Sequence, residues 1–161
     1  MMGEAFKAPE KEFLSKRDNF KPQIAEDYIT LSPLKVNLFP YTHEILSYLK
    51  EKYTLHLITN GFEEVQQVKI DASDLRKYFT EIITSEMAGC KKPNPRIFEF
   101  AMDKAGAIPE ESMMIGDDLR VDILGAKGVG IDQVYVNFES DPHSEEISFE
   151  INHLKAIEEI L

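Results

Sequence analysis

The sequence predicts an α/β protein with a doubly wound parallel sheet, and three observations support this fold class. Short apolar runs that suit buried strands alternate with amphipathic segments that suit helices. Polar clusters that contain glycine follow several of the apolar runs, as expected where parallel strands end and ligands bind. The chain has 161 residues, which is enough for one well-packed core and a smaller appendage.

The first part of the chain differs from the rest. Residues 1–36 are charged, helical in pattern and poor in apolar anchors, and Pro22 begins a predicted helix that runs to Leu31. Pro33 and Pro40 then interrupt the chain. We therefore predict that residues 1–36 form an appendage and that residues 37–161 form the α/β core.

Within the core, the predicted elements follow one another in a regular order. Residues 42–52 carry apolar side chains at helical spacing, and residues 54–59 form a short apolar run that suits a buried strand. Further helices are predicted over 63–70, 75–79, 94–105, 121–127 and 153–161, and further strands over 81–84, 112–115 and 132–136. Residues 137–148 are polar and acidic, which predicts a surface loop. Strands that alternate with helices indicate βαβ units and a parallel sheet covered on both faces.

Charge and composition exclude several classes of partner. The net charge of −11 would repel nucleic acid and anionic membranes. No apolar run approaches the ~18 residues of a membrane span, and the first residues do not resemble a signal peptide. The single cysteine, Cys90, excludes an internal disulfide framework and suits a reducing compartment. We therefore predict a soluble cytoplasmic protein that binds neither nucleic acid nor membrane.

Two of the polar clusters suit a phosphate group and its counter-charge. Thr59, Asn60 and Gly61 follow a predicted strand, and the glycine allows an anion to approach backbone amides ahead of the next helix. Lys92 precedes Pro93 and a predicted helix, where its ammonium can neutralise that anion. The alternatives are an ordinary strand-to-helix turn and an ordinary surface lysine.

A third cluster is acidic. Asp117, Asp118 and Asp122 follow the predicted strand over 112–115 and open a predicted helix. Acidic residues are common in a first helical turn because they cap it and complement the helix dipole. Carboxylates packed this closely also repel one another, which favours a bound cation, and their oxygens at a strand end suit Mg²⁺. Both interpretations are consistent with the sequence.

Together, and in this order, the three clusters resemble the haloacid dehalogenase superfamily of phosphatases. The second, third and fourth motifs of that family look like Thr59-Asn60-Gly61, Lys92-Pro93 and the segment from Gly116 to Asp122. The resemblance extends over nearly all of residues 38–161 and implies a Rossmann-like core. In its details the chain is most similar to the pyrimidine nucleotidase group, which dephosphorylates nucleoside 5′-monophosphates. Residues 1–36 then correspond to the C-terminal part of a helical cap.

The resemblance also implies a role for each motif residue. Thr59 and the backbone amides of Asn60 and Gly61 would bind the phosphoryl group of a small phosphorylated substrate. Lys92 would neutralise charge between that group and the nucleophile. These roles describe electrostatic stabilisation of a charged transition state.

The acidic cluster receives its roles in the same way. Asp117 would bind Mg²⁺, with Asp118 as a further ligand. Asp122 would position Lys92 or a metal-bound water.

The chain departs from the family pattern at the first motif. That motif is an apolar strand ending in Asp-x-Asp-x-Thr, which supplies a nucleophile and an acid/base carboxylate, and no segment has this spacing. In the family this strand lies between the strands that end here at Thr59 and Gly116. We therefore predict that the chain is a truncated Mg²⁺-dependent phosphatase, inactive by itself. The alternative is a noncatalytic remnant that binds phosphate compounds or a partner. A phospho-receiver domain is rejected, because in such domains the acidic pair precedes the lysine in sequence, whereas here Lys92 precedes the acidic cluster.

Overall fold

The computed structural model describes residues 37–161, so the predicted cap segment lies outside the described residues. Helices and strands alternate along this part of the chain. The helices are α1 (Thr42–Lys52), α2 (Glu63–Ala72), α3 (Ser85–Ala88), α4 (Pro95–Ala105) and α5 (Leu124–Lys127), and the strands are β1 (His56–Thr59), β2 (Glu81–Thr84), β3 (Met113–Gly116), β4 (Asp132–Val136) and β5 (Phe149–Ile151). None of the helices in residues 37–161 is long and apolar enough to cross a membrane.

All the strand pairs among the described residues are parallel. Strand β1 pairs with β2, and a second sheet has the order β3-β4-β5. Within residues 37–161, no backbone ladder joins β1 to β3. The predicted class of a parallel α/β fold is confirmed, and the carboxyl ends of β1 and β3 are Thr59 and Gly116.

Two apolar clusters cover the sheets. One cluster centres on α4 and α5, and its members from the strands include Ile58, Ile83 and Met114, so it joins the two sheets. The other centres on α1 and the C-terminal segment, and it includes Ile115. Because Met114 and Ile115 are neighbours on β3 and join different clusters, that strand is covered on both faces.

Several predicted elements differ from the observed ones. The predicted helix over 75–79 is a short 3-10 helix at Arg76–Tyr78, and the predicted C-terminal helix is a 3-10 helix at Leu154–Glu159. Strand β5 was not predicted, because its residues are exposed or half-buried and form no apolar run. Helix α3 was not predicted either; the Thr84 hydroxyl caps it by accepting a hydrogen bond from the Met87 amide at 3.3 Å.

The predicted helix over 121–127 begins earlier than expected, with a π-helical turn at Leu119–Ile123. The Asp118 side chain caps this turn, since its Oδ1 accepts hydrogen bonds from Arg120 N at 3.0 Å and Val121 N at 2.8 Å. The Asp118 carbonyl accepts from both Asp122 N and Ile123 N, at 2.9 and 3.2 Å, and the second of these bonds widens the turn. This cap turns the chain so that Asp122 lies beside the end of β3.

Candidate active site

Lys92 is the most constrained of the predicted site residues. It lies in the segment between α3 and α4, and its side chain is only 10% exposed. The Nζ atom donates a hydrogen bond to the Ile58 carbonyl at 3.0 Å and lies 2.7 Å from Asp122 Oδ1. The Asp122 side chain is also buried, with 9% exposure. Lys92 therefore connects the end of β1 to the turn that follows β3.

Gly116 allows Asp122 to lie close to the end of β3. A Cβ atom on Gly116 would lie 2.6 Å from Asp122 Cβ and 2.7 Å from its Oδ2. Atoms cannot approach this closely without a shift, so a side chain at this position would displace the carboxylate. The absence of a side chain on Gly116 thus allows the Lys92–Asp122 pair to form where it does.

The side chain of Asn60 makes contacts that were not predicted, since the prediction concerned only its backbone amide. Its Oδ1 accepts a hydrogen bond from Lys92 N at 2.7 Å, and its Nδ2 donates to Lys92 O at 3.0 Å. The Asn60 carbonyl in turn accepts from the Ser85 hydroxyl at 3.3 Å. The loop that carries Lys92 is therefore tied to the end of β1. Sequence analysis missed this contact because it joins residues far apart in the chain.

Thr59 and Gly61 lie next to this contact. Thr59 is the last residue of β1 and is paired in register with Thr84. The Gly61 amide donates a hydrogen bond to the Thr59 hydroxyl at 3.1 Å. A Cβ atom on Gly61 would overlap the amide group of Gln66, so the side chain of Gln66 covers this turn. The turn that begins α2 is thus compact and polar, and it lies directly after the Ile58 carbonyl that Lys92 contacts.

The two predicted metal ligands, Asp117 and Asp118, are exposed and follow β3 directly. Oδ1 of Asp118 is committed to the cap of the π-helical turn, which leaves its second oxygen. Asp122 is committed to Lys92. Across residues 37–161, no group of three histidine, cysteine or carboxylate side chains is arranged to hold a metal ion. A site with one or two carboxylates, completed by water and substrate phosphate, matches what Mg²⁺ commonly accepts.

The electrostatic environment of this sheet edge is negative. Tyr135 lies on β4, and burial of its phenol raises its pKa above the ordinary value. The carboxylates of Asp141, Glu150, Asp118 and Asp117 raise this pKa further, because each of them disfavours a second negative charge. These carboxylates therefore make the surroundings of Tyr135 negative, which favours a bound cation.

The fold and the site together define a class of protein. It is a doubly wound α/β protein with a buried lysine–carboxylate pair at the edge where such sheets bind ligands. The profile of the haloacid dehalogenase-like hydrolases matches residues 2–136 of the sequence. The chain therefore belongs to the haloacid dehalogenase-like hydrolase family, and the resemblance predicted from the three motifs is confirmed.

The chain is similar to curated relatives that have different activities. The chain is 40% identical over 120 residues to a glyceraldehyde 3-phosphate phosphatase from Methanothermobacter thermautotrophicus, an alignment that covers 72% of this chain and 53% of the relative. It is 30% identical over 152 residues to the pyrimidine 5′-nucleotidase YjjG from Escherichia coli, covering 91% of this chain and 67% of the relative. The chain thus resembles phosphomonoester hydrolases and spans about half to two thirds of their length.

A solved structure shares the fold. The HAD-hydrolase YfnB from Bacillus subtilis, solved bound to magnesium, superposes with a TM-score of 0.70 at 29% sequence identity. The superposition covers 77% of this chain and 56% of that chain. It independently supports the predicted Rossmann-like architecture.

Proposed function

We propose that this chain is the phosphoryl-binding part of a Mg²⁺-dependent phosphomonoester hydrolase that acts through an aspartyl-phosphate. One observation carries the proposal: a buried lysine is held between the end of β1 and a buried carboxylate, at the ligand-binding edge of the sheet. An ammonium group has three N–H donors. Two of them are directed at the Ile58 carbonyl and Asp122, and the third would remain for a phosphoryl oxygen.

The remaining motif residues would complete the phosphate site. As the family resemblance implies, the Thr59 hydroxyl and the backbone amides of Asn60 and Gly61 would donate to the phosphoryl oxygens. The Gly61 N–H donates to the Thr59 hydroxyl at 3.1 Å, so on binding it would share this bond with a phosphoryl oxygen or exchange it for one. The Thr59 hydroxyl can both accept from the Gly61 amide and donate its own proton to a phosphoryl oxygen. Donors fixed in a partly buried site stabilise developing charge more strongly than the same donors do in water.

Asp122 would position Lys92. The resemblance left open whether Asp122 orients the lysine or a metal-bound water. The contact of 2.7 Å with Lys92 Nζ and the low exposure of both side chains favour the lysine. In this position Asp122 would hold the ammonium in one orientation and offset part of the cost of burying its charge.

Asp117 would hold Mg²⁺, assisted by the second oxygen of Asp118. Asp117 is exposed at the end of β3, and Asp118 has one oxygen outside its capping bonds. The negative potential around Tyr135 also suits a cation at this edge. When bound, Mg²⁺ supplies positive charge that neutralises the phosphoryl group. A structural neighbour, the HAD-hydrolase YfnB, was solved bound to magnesium, which supports a role for Mg²⁺ in this proposal.

The nucleophile would come from outside this sequence. We propose that an Asp-x-Asp-x-Thr strand precedes Met1 in a longer parent protein and pairs between β1 and β3. Within residues 37–161 these two strands share one apolar cluster without sharing a ladder, which is what an intervening strand requires. The chain also spans only part of its relatives. The absence of the nucleophile motif equally favours a second function, in which the chain binds phosphate compounds without turnover.

The substrate would be a nucleoside 5′-monophosphate or another small phosphate ester. One relative is a pyrimidine 5′-nucleotidase, which supports a nucleotide substrate. The other is a glyceraldehyde 3-phosphate phosphatase, which supports a smaller phosphate ester. The net charge of −11 disfavours a nucleic acid or membrane substrate. We propose a cytoplasmic location, since the single cysteine of this sequence, Cys90, suits a reducing compartment.

The proposal is tested by kinetics on the longer parent protein. Uridine 5′-monophosphate and glyceraldehyde 3-phosphate would be compared as substrates with and without Mg²⁺. We expect Mg²⁺-dependent release of phosphate from one of them, and Lys92→Met should lower kcat/KM by about 100-fold or more, as loss of one oxyanion-stabilising donor does. Asn94→Asp, a conservative change in the same loop, is the control. Full activity of Lys92→Met would refute the proposed role of the lysine.

A further inference from the structure

The side chain of Asn60 holds the loop that carries Lys92. Its two polar atoms bind the two polar backbone atoms of Lys92, at 2.7 Å to the amide and 3.0 Å to the carbonyl. Such a paired contact fixes both the position and the orientation of a peptide, as one rung of a strand ladder does. The partners are 32 residues apart in sequence, so the contact is not a local turn.

The same short segment, at the end of β1, also binds the other end of Lys92. The Nζ atom donates to the carbonyl of Ile58, two residues before Asn60. Lys92 is therefore held at its backbone by one residue and at its ammonium by another residue of the same segment. Asp122 contacts the ammonium at 2.7 Å. With its backbone and its ammonium both fixed, the long side chain has few remaining conformations.

We infer that the side chain of Asn60 is a positioning residue for Lys92, an inference that rests on the proposed function. The Oδ1 atom and one N–H of Nδ2 are engaged with Lys92, so this side chain acts on the phosphate site through the lysine. Releasing it would free the loop and move the ammonium relative to Thr59. Misplacement of a binding group by about 1 Å can reduce the rate by about 100-fold.

The substitutions follow from the hydrogen bonds. Asn60→Ala removes both bonds to Lys92. Asn60→Asp keeps the size and the acceptor, but it places a second oxygen against the Lys92 carbonyl in place of a donor. Asn94→Asp is the matched control, because Asn94 lies in the same loop, caps α4 through its Oδ1, and can be replaced by Asp as an equally good cap.

The first readout is the affinity for inorganic phosphate, measured by isothermal titration calorimetry on residues 1–161. We expect Asn60→Ala and Asn60→Asp to weaken phosphate binding by about 10-fold or more, and Asn94→Asp to leave it unchanged. In a Lys92→Met background, Asn60→Ala should cause no further loss, since the residue acts through the lysine. A merely structural role would lower affinity equally in both backgrounds.

The second readout is rescue by acid. Protonation gives the carboxyl introduced by Asn60→Asp a donor as well as an acceptor, so it can imitate the amide. Its deficit relative to Asn94→Asp should therefore shrink as the pH falls towards about 4, where an ordinary aspartate carboxyl is about half protonated. Thermal unfolding of each variant identifies any that fails to fold. If Asn60→Ala fails to fold, the test uses Asn60→Asp, which keeps the size of the side chain.

The outcomes separate this inference from the proposed function. Equal loss in the wild-type and Lys92→Met backgrounds, or a deficit that does not change with pH, would overturn the positioning role alone. Unchanged phosphate affinity in both Asn60 variants would also overturn it. Failure of the wild-type protein to bind phosphate would overturn the proposed function and this inference with it.

Discussion

The Lys92–Asp122 pair should be energetically coupled, because both charged groups are buried together. Their side chains are 10% and 9% exposed and their charged atoms lie 2.7 Å apart. Removing one partner of a buried pair leaves the other charge without compensation, which costs about 3 to 5 kcal/mol. Asp122→Asn keeps an acceptor for the lysine, and the Ile58 carbonyl remains. We therefore expect a loss near the lower limit, about 3 kcal/mol.

The assay is a double-mutant cycle with urea unfolding as the measurement. Lys92→Met should also lower the free energy of unfolding by about 3 kcal/mol, because it leaves Asp122 buried without its partner. The double variant should lose about 3 kcal/mol rather than about 6, because the second change removes the charge that the first left unpaired. Asp71→Asn is the control: it breaks the exposed pair with Arg76 and should cause no measurable change.

Simple additivity in this cycle would refute the reasoning. If the two single losses sum in the double variant, the groups do not interact in solution, and Asp122 cannot be what holds the lysine. A loss in Asp71→Asn as large as in Asp122→Asn would also contradict the expectation that burial sets the energy of these pairs.

Three further predictions concern the same sheet edge. Gly116→Ala should lower the free energy of unfolding by about 2 kcal/mol, since its Cβ would overlap buried Asp122. Gly128→Ala is the control and should cause no such loss, because its nearest contacts are at 3.4 Å. Equal effects of the two substitutions in urea unfolding would contradict the close packing. Mg²⁺ should raise the melting temperature slightly, and Asp117→Asn should abolish the rise; an undiminished rise would place the metal elsewhere. The pKa of Tyr135 is raised in the folded state. Its contribution to the free energy of unfolding should therefore be complete below about pH 10 and be lost as the pH rises through the folded pKa. A Tyr135→Phe variant with the same pH dependence of unfolding as the wild type would contradict this.

The regular elements were predictable because their local patterns agree with their environment. Residues 42–52 carry the helical spacing that buries Ile45 and Leu49, and the structure places a helix with these bounds. Strand β4 is buried along nearly its whole length, so its apolar run identified it. The order of polar clusters at strand ends then indicated the edge of the sheet where a ligand would bind.

The remaining features depend on contacts that a local pattern does not encode. Strand β5 is stabilised by pairing with β4, while its own residues are exposed or half-buried. The Asn60 side chain bonds to Lys92 across 32 positions, and its sequence context fitted a simple turn equally well. The cap at Asp118 shows the same limit, because the sequence indicated acidic residues there without deciding which would cap and which would bind metal.

The central claim is that this chain supplies phosphoryl-binding groups and that a preceding strand supplies the nucleophile. The most direct measurement compares purified residues 1–161 with the proposed longer parent protein on uridine 5′-monophosphate and glyceraldehyde 3-phosphate, each in the presence of Mg²⁺. Loss of the nucleophile from a catalytic unit removes on the order of 10⁶ in kcat, so we expect hydrolysis by the parent and none above background by residues 1–161. Clean Mg²⁺-dependent hydrolysis by residues 1–161 alone would contradict the claim, because the nucleophile would then lie within this sequence.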